Sequence, residues 1–402
     1  MLRARTVVTP DALLCPGEVV VEEGRITAVR AGREPDAAHA PRAVYDVLVP
    51  GFVDLQVNGV GDIAVATAAG ADWDRLERAL LGSGTTTWCP TLPTVAPAVL
   101  RAALARLEAA AARPAGDGPH LAGVHLEGPF LAVPGAHPPR LLAPRVTAAQ
   151  LAAIAPVVRV VTLAPELPGA LEAIATLARA GVLVALGHSA CTAEQAHAAA
   201  TAGARLVTHL GNAMGPFHHR RPGLLGAALA DDRLAVSLIA DLVHLHPDVV
   251  RIAFLAKGAP RTVLVTDRVA QPTPGGAVGG GRTASGSGRG GGTPAAVELP
   301  DGTLAGSLLT PAAAVARCVR SAGISLVAAV AAAATTPARL LGLSDRGALV
   351  SGARADIVAL RGNPADPAAP EPDVVAVWLS GRRVWPPAVS GSRRRPADTT
   401  AR

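Results

Sequence analysis

The chain has 402 residues, of which 50% are hydrophobic and 17% are charged. This balance supports a large buried core and excludes an extensively disordered protein. The net charge is +6 at pH 7, but six Arg and one Asp between positions 382 and 402 account for five of those charges. The rest of the chain is close to neutral, so we predict no nucleic-acid partner.

The cysteines are far apart in sequence, and none forms a CxxC pair, which argues against a disulfide framework or a cysteine zinc site. They are Cys15, Cys89, Cys191 and Cys318. With no apolar leader at the start of the chain, this pattern fits a reducing compartment, and we predict a cytoplasmic location. The uncharged run 321–338 is mostly Ala with Ser, Thr and Pro, which predicts a helix of a soluble protein and no membrane partner.

Both ends of the chain have the composition of half-exposed strands. Val, Ile and Thr alternate with charged residues in 17–30 and again in 347–360, a pattern typical of antiparallel sheets. We therefore predict a small β-sandwich domain formed from residues 1–49 and 346–388.

Between these ends, over residues 50–345, continuous apolar runs alternate with helical stretches rich in Ala, Leu and Arg. Such runs are typical of a parallel sheet covered on both faces, and eight of them predict a (β/α)8 TIM barrel. A doubly wound open sheet is the alternative, although no GxGxxG motif follows any of the predicted strands. The eight runs are 47–58, 85–91, 121–129, 158–166, 181–189, 204–214, 235–244 and 262–267.

Two segments lack apolar periodicity. Residues 274–294 are Gly-rich and are predicted to form a flexible loop after the eighth strand, as a lid or as an inert insertion. Residues 389–402 are predicted to form a disordered basic tail.

Catalytic side chains of a TIM barrel project from the C-terminal ends of its strands. The polar residues at which the apolar runs stop are therefore the candidates for a site. These residues are Asp54, Gln56, Asn58, His125, Glu127, His188, His209, Asp241, His244 and Asp267.

Two imidazoles and one carboxylate from separate strands suit a catalytic zinc or iron(II), which keeps one position open for water. Glu127, His188 and His209 are the predicted ligands. Each histidine alone could equally be a hydrogen-bonded structural residue, so the prediction depends on all three lying at strand ends.

Asp267 ends the eighth apolar run and could exchange a proton with an attacking water; the alternative is an aspartate that stabilises a turn. Beyond the sixth run, Asn212 and the nearby backbone could hold polar substrate atoms. Arg220 and Arg221 could hold a phosphate through charge-assisted bonds, although such a pair is more often surface charge.

At these residues the sequence resembles the N-acetylglucosamine-6-phosphate deacetylases, a family of the amidohydrolase superfamily. The similarity runs from about residue 45 to 360, and the combination of Gln-x-Asn on the first strand, EGPF and HLxNAM is specific. The matching motifs are PGFVDLQVNG (50–59), HLEGPFL (125–131), GAHPP (135–139), LGHS (186–189), THLGNAM (208–214), RRPG (220–223), DLVH (241–244), VTD (265–267) and LAGS (304–307).

The resemblance implies hydrolysis of N-acetylglucosamine 6-phosphate to glucosamine 6-phosphate and acetate. It implies one divalent metal ion held by Glu127, His188 and His209. Zinc is the expected metal, and iron(II) and manganese(II) are the alternatives. Asp267 is implied to be the general base and then the acid. Gln56 and Asn58 are neutral and weak ligands in the first-strand pocket, which disfavours a second metal there.

The resemblance also implies the substrate contacts and a homodimer, in which Arg220 can reach the 6-phosphate across the subunit interface. The implied substrate-binding residues are Ala136, His137, Asn212, Ala213, Arg220, His244, Leu304, Ala305 and Gly306.

Three features depart from the family pattern: Pro134 before GAH, Arg268 after Asp267, and the Gly-rich insert. An Arg close to the Asp267 carboxylate would lower its pKa and weaken it as a base. Two alternatives therefore stay open: an amidohydrolase acting on a different N-acyl or cyclic amide, and a sugar-phosphate-binding homologue with weakened catalysis.

Overall fold

The computed structural model describes residues 1–32, 44–113, 116–152, 154, 156–271, 282–284 and 296–387. The strands before the barrel are β1 (Leu2–Val8), β2 (Leu13–Leu14), β3 (Gly17–Glu22), β4 (Arg25–Ala31) and β5 (Val44–Pro50). The strands of the barrel region are β6 (Phe52–Val57), β7 (Gly59–Val60), β8 (Ile63–Ala64), β9 (Thr85–Leu92), β10 (His120–Leu121), β11 (Val124–Glu127), β12 (Val158–Leu163), β13 (Leu183–Leu186), β14 (Leu206–Val207), β15 (Ala235–Leu238) and β16 (Thr262–Leu264). The later strands are β17 (Arg282–Ala284), β18 (Ala296–Glu298), β19 (Leu304–Ser307), β20 (Ile357–Arg361), β21 (Asp373–Leu379) and β22 (Arg382–Trp385).

Strands from both ends of the chain pair in one sheet, in the order β22-β21-β20-β5-β1-β3-β4, with β2 beside β1. This confirms a β domain built from the two termini. The predicted antiparallel arrangement holds for most pairs, but β1 and β5 run parallel. This β domain has a hydrophobic core of its own, which contains Val19, Leu48, Ile357 and Trp378.

Within the described ranges, the eight parallel strands of the predicted TIM barrel are present, in the order β6-β9-β11-β12-β13-β14-β15-β16. The order follows the chain, whereas a doubly wound sheet would reverse direction part-way. A backbone bridge between Val57 and Arg268 and a hydrogen bond from Asn58 N to Arg268 O at 2.7 Å join the first strand to the end of the eighth.

The first predicted run, 47–58, is divided between the two sheets. β5 ends at Pro50, and β6 begins at Phe52 in the barrel. Gly51 lies between them, where a Cβ would collide with the side chain of Thr86. Close packing of the two sheets therefore requires glycine at the break.

The Gly-rich segment contains one strand that its composition did not predict: β17 pairs with β18, and β18 with β19, in a small antiparallel sheet. The other residues of 274–294, and the predicted tail 389–402, lie outside the described residues.

Helices alternate with the barrel strands, as predicted. They are α1 (Asp72–Gly82), α2 (Pro97–Ala111), α3 (Ala148–Ala152), α4 (Ala170–Arg179), α5 (Ala193–Ala202), α6 (Gly223–Ala230), α7 (Pro247–Lys257), α8 (Pro311–Ala322), α9 (Leu326–Ala333) and α10 (Thr335–Leu340), with short 3₁₀ helices at Pro139–Leu141 and Ala259–Arg261. The run 321–338 is not one helix, since Ser325 caps the N-terminus of α9 and α10 follows directly. In the described parts of the chain, no helix has the length and apolar character needed to span a membrane.

Asp54 links the first barrel strand to the end of the eighth. Its Oδ1 accepts from the backbone N–H of Gln56 and of Thr266, each at 3.2 Å, and its Oδ2 accepts from the Thr266 hydroxyl at 2.6 Å. Burial raises the pKa of Asp54 to about 6, although these hydrogen bonds act to lower it.

We expect the Asp54→Asn variant to gain stability over the wild type as the pH rises from about 4 to about 6. A carboxyl group whose pKa is higher in the folded than in the unfolded protein stabilises the fold below the unfolded value, and this contribution is lost as the pH rises through the folded value. The amide does not titrate, so the difference reaches at most about 3 kcal/mol at pH 7. Urea unfolding of both proteins at pH 4 and pH 7 measures it; identical pH dependence would contradict the prediction.

Candidate active site

The predicted ring of polar residues lies at the C-terminal mouth of the barrel. Glu127 is the last residue of β11, His188 follows β13, His209 follows β14 and Asp267 follows β16. These side chains, with Asn58 after β6, line one cavity of ≈ 910 Å³. The barrel therefore brings together groups that are far apart in the chain.

Three of these residues have left-handed backbone conformations, which non-glycine residues seldom adopt. The φ angles are +51° at His188, +28° at His209 and +47° at Asp267. Such conformations persist where the surrounding structure enforces them, and they cluster at functional sites. The backbone therefore turns sharply at each of these residues, just beyond the end of its strand.

Glu127, His188 and His209 meet at one point. The Nε2 atom of His209 lies 2.9 Å from Glu127 Oε1, that of His188 lies 3.3 Å from the same oxygen, and the two Nε2 atoms are 3.1 Å apart. Ligand atoms bound tetrahedrally to zinc at about 2.0–2.1 Å lie roughly 3.3 Å from one another. The spacing of these three atoms therefore fits a single divalent cation.

The ring tautomer of His188 suits a metal ligand. Its Nδ1–H donates to the carbonyl oxygen of Val133 at 2.9 Å, so its Nε2 carries a lone pair. A backbone or carboxylate partner on the second ring nitrogen is usual for histidines that bind metals. The Nδ1 atom of His209, by contrast, is buried without a partner among the described residues.

His137 lies against the same cluster, and its ligand atom is within 4.8 Å of those of Glu127 and His188. The backbone N–H of Thr94 donates to His137 Nδ1 at 3.1 Å, which places the ring proton on Nε2. Burial lowers the pKa of His137 to about 4, so the ring is neutral. A protonated Nε2 is a hydrogen-bond donor and has no lone pair for a metal.

Gln56, on the first barrel strand, donates a hydrogen bond to Glu127. Its Nε2 donates to Glu127 Oε1 at 3.0 Å, and its Oε1 accepts from the Thr208 hydroxyl at 2.9 Å. Burial acts to raise the pKa of Glu127, but the adjacent imidazoles of His188 and His209 hold it well below its usual value. Gln56 therefore presents a donor to this carboxylate, and its own oxygen is already engaged.

Asn58 has the corresponding role at the second carboxylate: its Nδ2 donates to Asp267 Oδ1 at 2.8 Å. Burial, reinforced by the charge of Glu127, raises the pKa of Asp267 to about 8. The expected weakening of this base by Arg268 is wrong. The charge that acts on the Arg268 guanidinium is that of Asp54, and Arg268 does not line the cavity.

The cavity also contains almost all of the residues predicted to contact a substrate: Ala136, His137, Asn212, Ala213, His244, Leu304, Ala305 and Gly306. Arg220 is not among them. It is exposed, and its side chain contacts His219 Nε2 at 3.0 Å. Among the described residues that line this cavity, none is Arg or Lys.

Comparison with known proteins shows similarity along most of the chain. An Amidohydrolase family model matches residues 301–385. The N-acetylgalactosamine-6-phosphate deacetylase of Escherichia coli O157:H7 is 36% identical over 368 residues, which are 90% of this chain and 94% of that protein. The N-acetylglucosamine-6-phosphate deacetylase of Homo sapiens is 35% identical over 363 residues, 84% of this chain and 83% of that protein.

Solved structures agree over a similar span. A mutant N-acetyl-D-glucosamine-6-phosphate deacetylase from Mycobacterium smegmatis, in complex with N-acetyl-D-glucosamine-6-phosphate, superposes with a TM-score of 0.80 at 33% identity, covering 95% of this chain and 98% of that one. The N-acetylglucosamine-6-phosphate deacetylase of Thermotoga maritima gives a TM-score of 0.77 at 29% identity, with 94% and 98% covered.

Proposed function

This chain belongs to the N-acetylglucosamine-6-phosphate deacetylase family of the amidohydrolase superfamily, and we infer that it hydrolyses the N-acetyl group of N-acetylglucosamine 6-phosphate, releasing acetate and glucosamine 6-phosphate. The observation that carries this function is the convergence of Glu127, His188 and His209 in the cavity that also contains Asp267. This arrangement supports an active hydrolase over a binding protein that has lost its catalytic groups.

We propose that Glu127, His188 and His209 hold one divalent cation. One carboxylate and two imidazoles suit zinc, and they also accept iron(II) or manganese(II). When bound, such a cation polarises the acetyl carbonyl and lowers the pKa of a water molecule. His137 is excluded from the ligand set because its Nε2 bears a proton.

Asp267 is proposed to act as general base and then as general acid. Asn58 holds Oδ1, so Oδ2 is left to accept the proton of the attacking water as its oxygen bonds to the acetyl carbon. When the C–N bond breaks, Asp267 returns that proton to the departing nitrogen. The Nε2–H of His137 is placed to donate to the carbonyl oxygen as negative charge develops there.

Ala136, Asn212, Ala213, His244, Leu304, Ala305 and Gly306 are proposed to contact the sugar, since all of them line the cavity. The phosphate requires a cation that the described cavity lining does not provide. We propose that the protein is a homodimer and that Arg220 of the second copy binds the phosphate. Its guanidinium would donate two parallel hydrogen bonds to the phosphate oxygens.

Arg220→Ala is expected to raise KM for the phosphorylated substrate by roughly 10- to 100-fold, since a charge-assisted pair is lost. Hydrolysis of unphosphorylated N-acetylglucosamine should not change. Co-expression of Arg220→Ala with Asp267→Asn separates the two subunit arrangements. A mixed dimer regains one intact site only if Arg220 acts across the interface, whereas no recovery would place Arg220 in its own subunit's site.

Acetate release by the purified protein, before and after chelation of metal, tests the function. N-acetylglucosamine 6-phosphate is the expected substrate. N-acetylgalactosamine 6-phosphate is the second candidate, because a relative named for that activity is 36% identical over 90% of this chain. Unphosphorylated sugar and a cyclic amide complete the panel; release from neither sugar phosphate would overturn the proposal.

A further inference from the structure

Asp241 and His244 form a buried carboxylate–imidazole pair at the edge of the cavity. The Nδ1 atom of His244 lies 2.7 Å from Asp241 Oδ2, and the side chains are 3% and 0% exposed. A carboxylate accepts hydrogen bonds and an imidazole Nδ1–H donates, so the pair puts the ring proton of His244 on Nδ1. The Nε2 atom, which has no partner among the described residues, then carries a lone pair.

The remaining contacts of Asp241 leave His244 as the partner of Oδ2. Oδ1 accepts from the backbone N–H of Val243 at 2.9 Å and of His244 at 2.8 Å. The backbone oxygen of Asp241 accepts separately from Arg317 at 2.9 Å. The backbone turn at 241–244 is thus stabilised by Asp241 Oδ1 and by Arg317, while Asp241 Oδ2 accepts a hydrogen bond from the His244 imidazole.

We propose that Asp241 is a positioning residue that fixes the tautomer of His244, so that Nε2 accepts a hydrogen bond from a hydroxyl group of the sugar. The identity of the sugar rests on the proposed function. A site built to accept a hydroxyl proton strongly disfavours a ligand or a tautomer that cannot supply the bond, because a buried polar group is then left unpaired.

The Asp241→Asn variant tests the tautomer directly. The amide oxygen of Asn is expected to take the place of Oδ1, because there it accepts two backbone hydrogen bonds, whereas in the place of Oδ2 it would accept only one from His244. Its NH2 group then faces His244, whose ring proton must move to Nε2. Nitrogen-15 NMR of histidine-labelled protein, with His244→Ala to assign the signal, is expected to show a proton on Nδ1 in the wild type and on Nε2 in the variant.

The chain offers a matched control in a second pair, Asp231 Oδ2 and His197 Nδ1 at 2.9 Å, which lies outside the cavity lining. Asp231→Asn should change the signal of His197 and leave kcat/KM within about twofold. Asp241→Asn is expected to lower kcat/KM by roughly 10- to 100-fold, mainly through KM, because a single hydrogen bond to substrate is lost.

A double-mutant cycle separates positioning from a structural role. In the His244→Ala background, Asp241→Asn should change kcat/KM by less than about twofold, because the group on which Asp241 acts is absent. An unchanged His244 tautomer, a wild-type ring protonated on both nitrogens, or additive losses would overturn the inference. The tautomer measurement needs no turnover, so its outcome is independent of whether the deacetylase function holds.

Discussion

Replacing Asp267 with Asn is expected to lower kcat by at least about 10³-fold, because one group is removed that both takes and returns the proton. The substitution is nearly isosteric, and the amide oxygen can still accept from Asn58, whose Nδ2 lies 2.8 Å from Asp267 Oδ1. The geometry of the cavity should therefore survive, and the metal content should equal that of the wild type.

The measurement is acetate release under saturating substrate, together with metal analysis of the same sample. Asp231→Asn is the matched control, an identical chemical change outside the cavity lining that should leave turnover unaffected. Near-normal turnover by Asp267→Asn with metal bound would assign the base to another residue.

The pH dependence gives a second readout. A general base works when ionised, so the rate rises with pH through the pKa of Asp267. Burial and the charge of Glu127 raise that pKa to about 8, and a bound cation would oppose the effect of Glu127 and lower it again. The acid side of the kcat/KM profile should therefore follow the ionisation of Asp267, and it should be absent from the residual activity of Asp267→Asn.

The sequence could predict the candidate groups because they lie where apolar runs stop. Glu127, His188, His209 and Asp267 each lie at or just beyond the C-terminal end of a parallel strand, and closure of the barrel brings those ends together. Only periodicity and strand order are needed for this inference. The same reasoning could not divide 47–58 at Gly51, since the division depends on packing between two sheets.

The features that the sequence could not predict involve the backbone. The N–H of Thr94 fixes the tautomer of His137, and the carbonyl of Val133 fixes that of His188. Every residue has these groups, so no residue type or spacing marks them. The interaction of Arg268 with the charge of Asp54 likewise depends on the fold, whereas residue order along the sequence suggested an interaction with Asp267.

The tautomers lead to a prediction that separates two possible ligand sets. The ligand atoms of Glu127, His137 and His188 lie within 4.8 Å of one another, so proximity alone allows His137 in place of His209. If His209 is a ligand, His209→Ala should lose metal, as should Glu127→Ala. The loss of affinity should exceed the roughly 10- to 100-fold that an outer partner of a metal ligand contributes.

His137→Ala should instead keep a full complement of metal while its activity falls, because the Nε2–H of His137 is a hydrogen-bond donor with no lone pair to lose. Equilibrium dialysis followed by metal analysis measures this for all three variants, with circular dichroism to confirm folding. Retention of metal by His209→Ala together with its loss from His137→Ala would reverse the assignment. Binding of the cation by His137 Nε2 would require the hydrogen bond from the Thr94 N–H to His137 Nδ1 to break. A buried backbone donor would then be left unpaired, which is unfavourable.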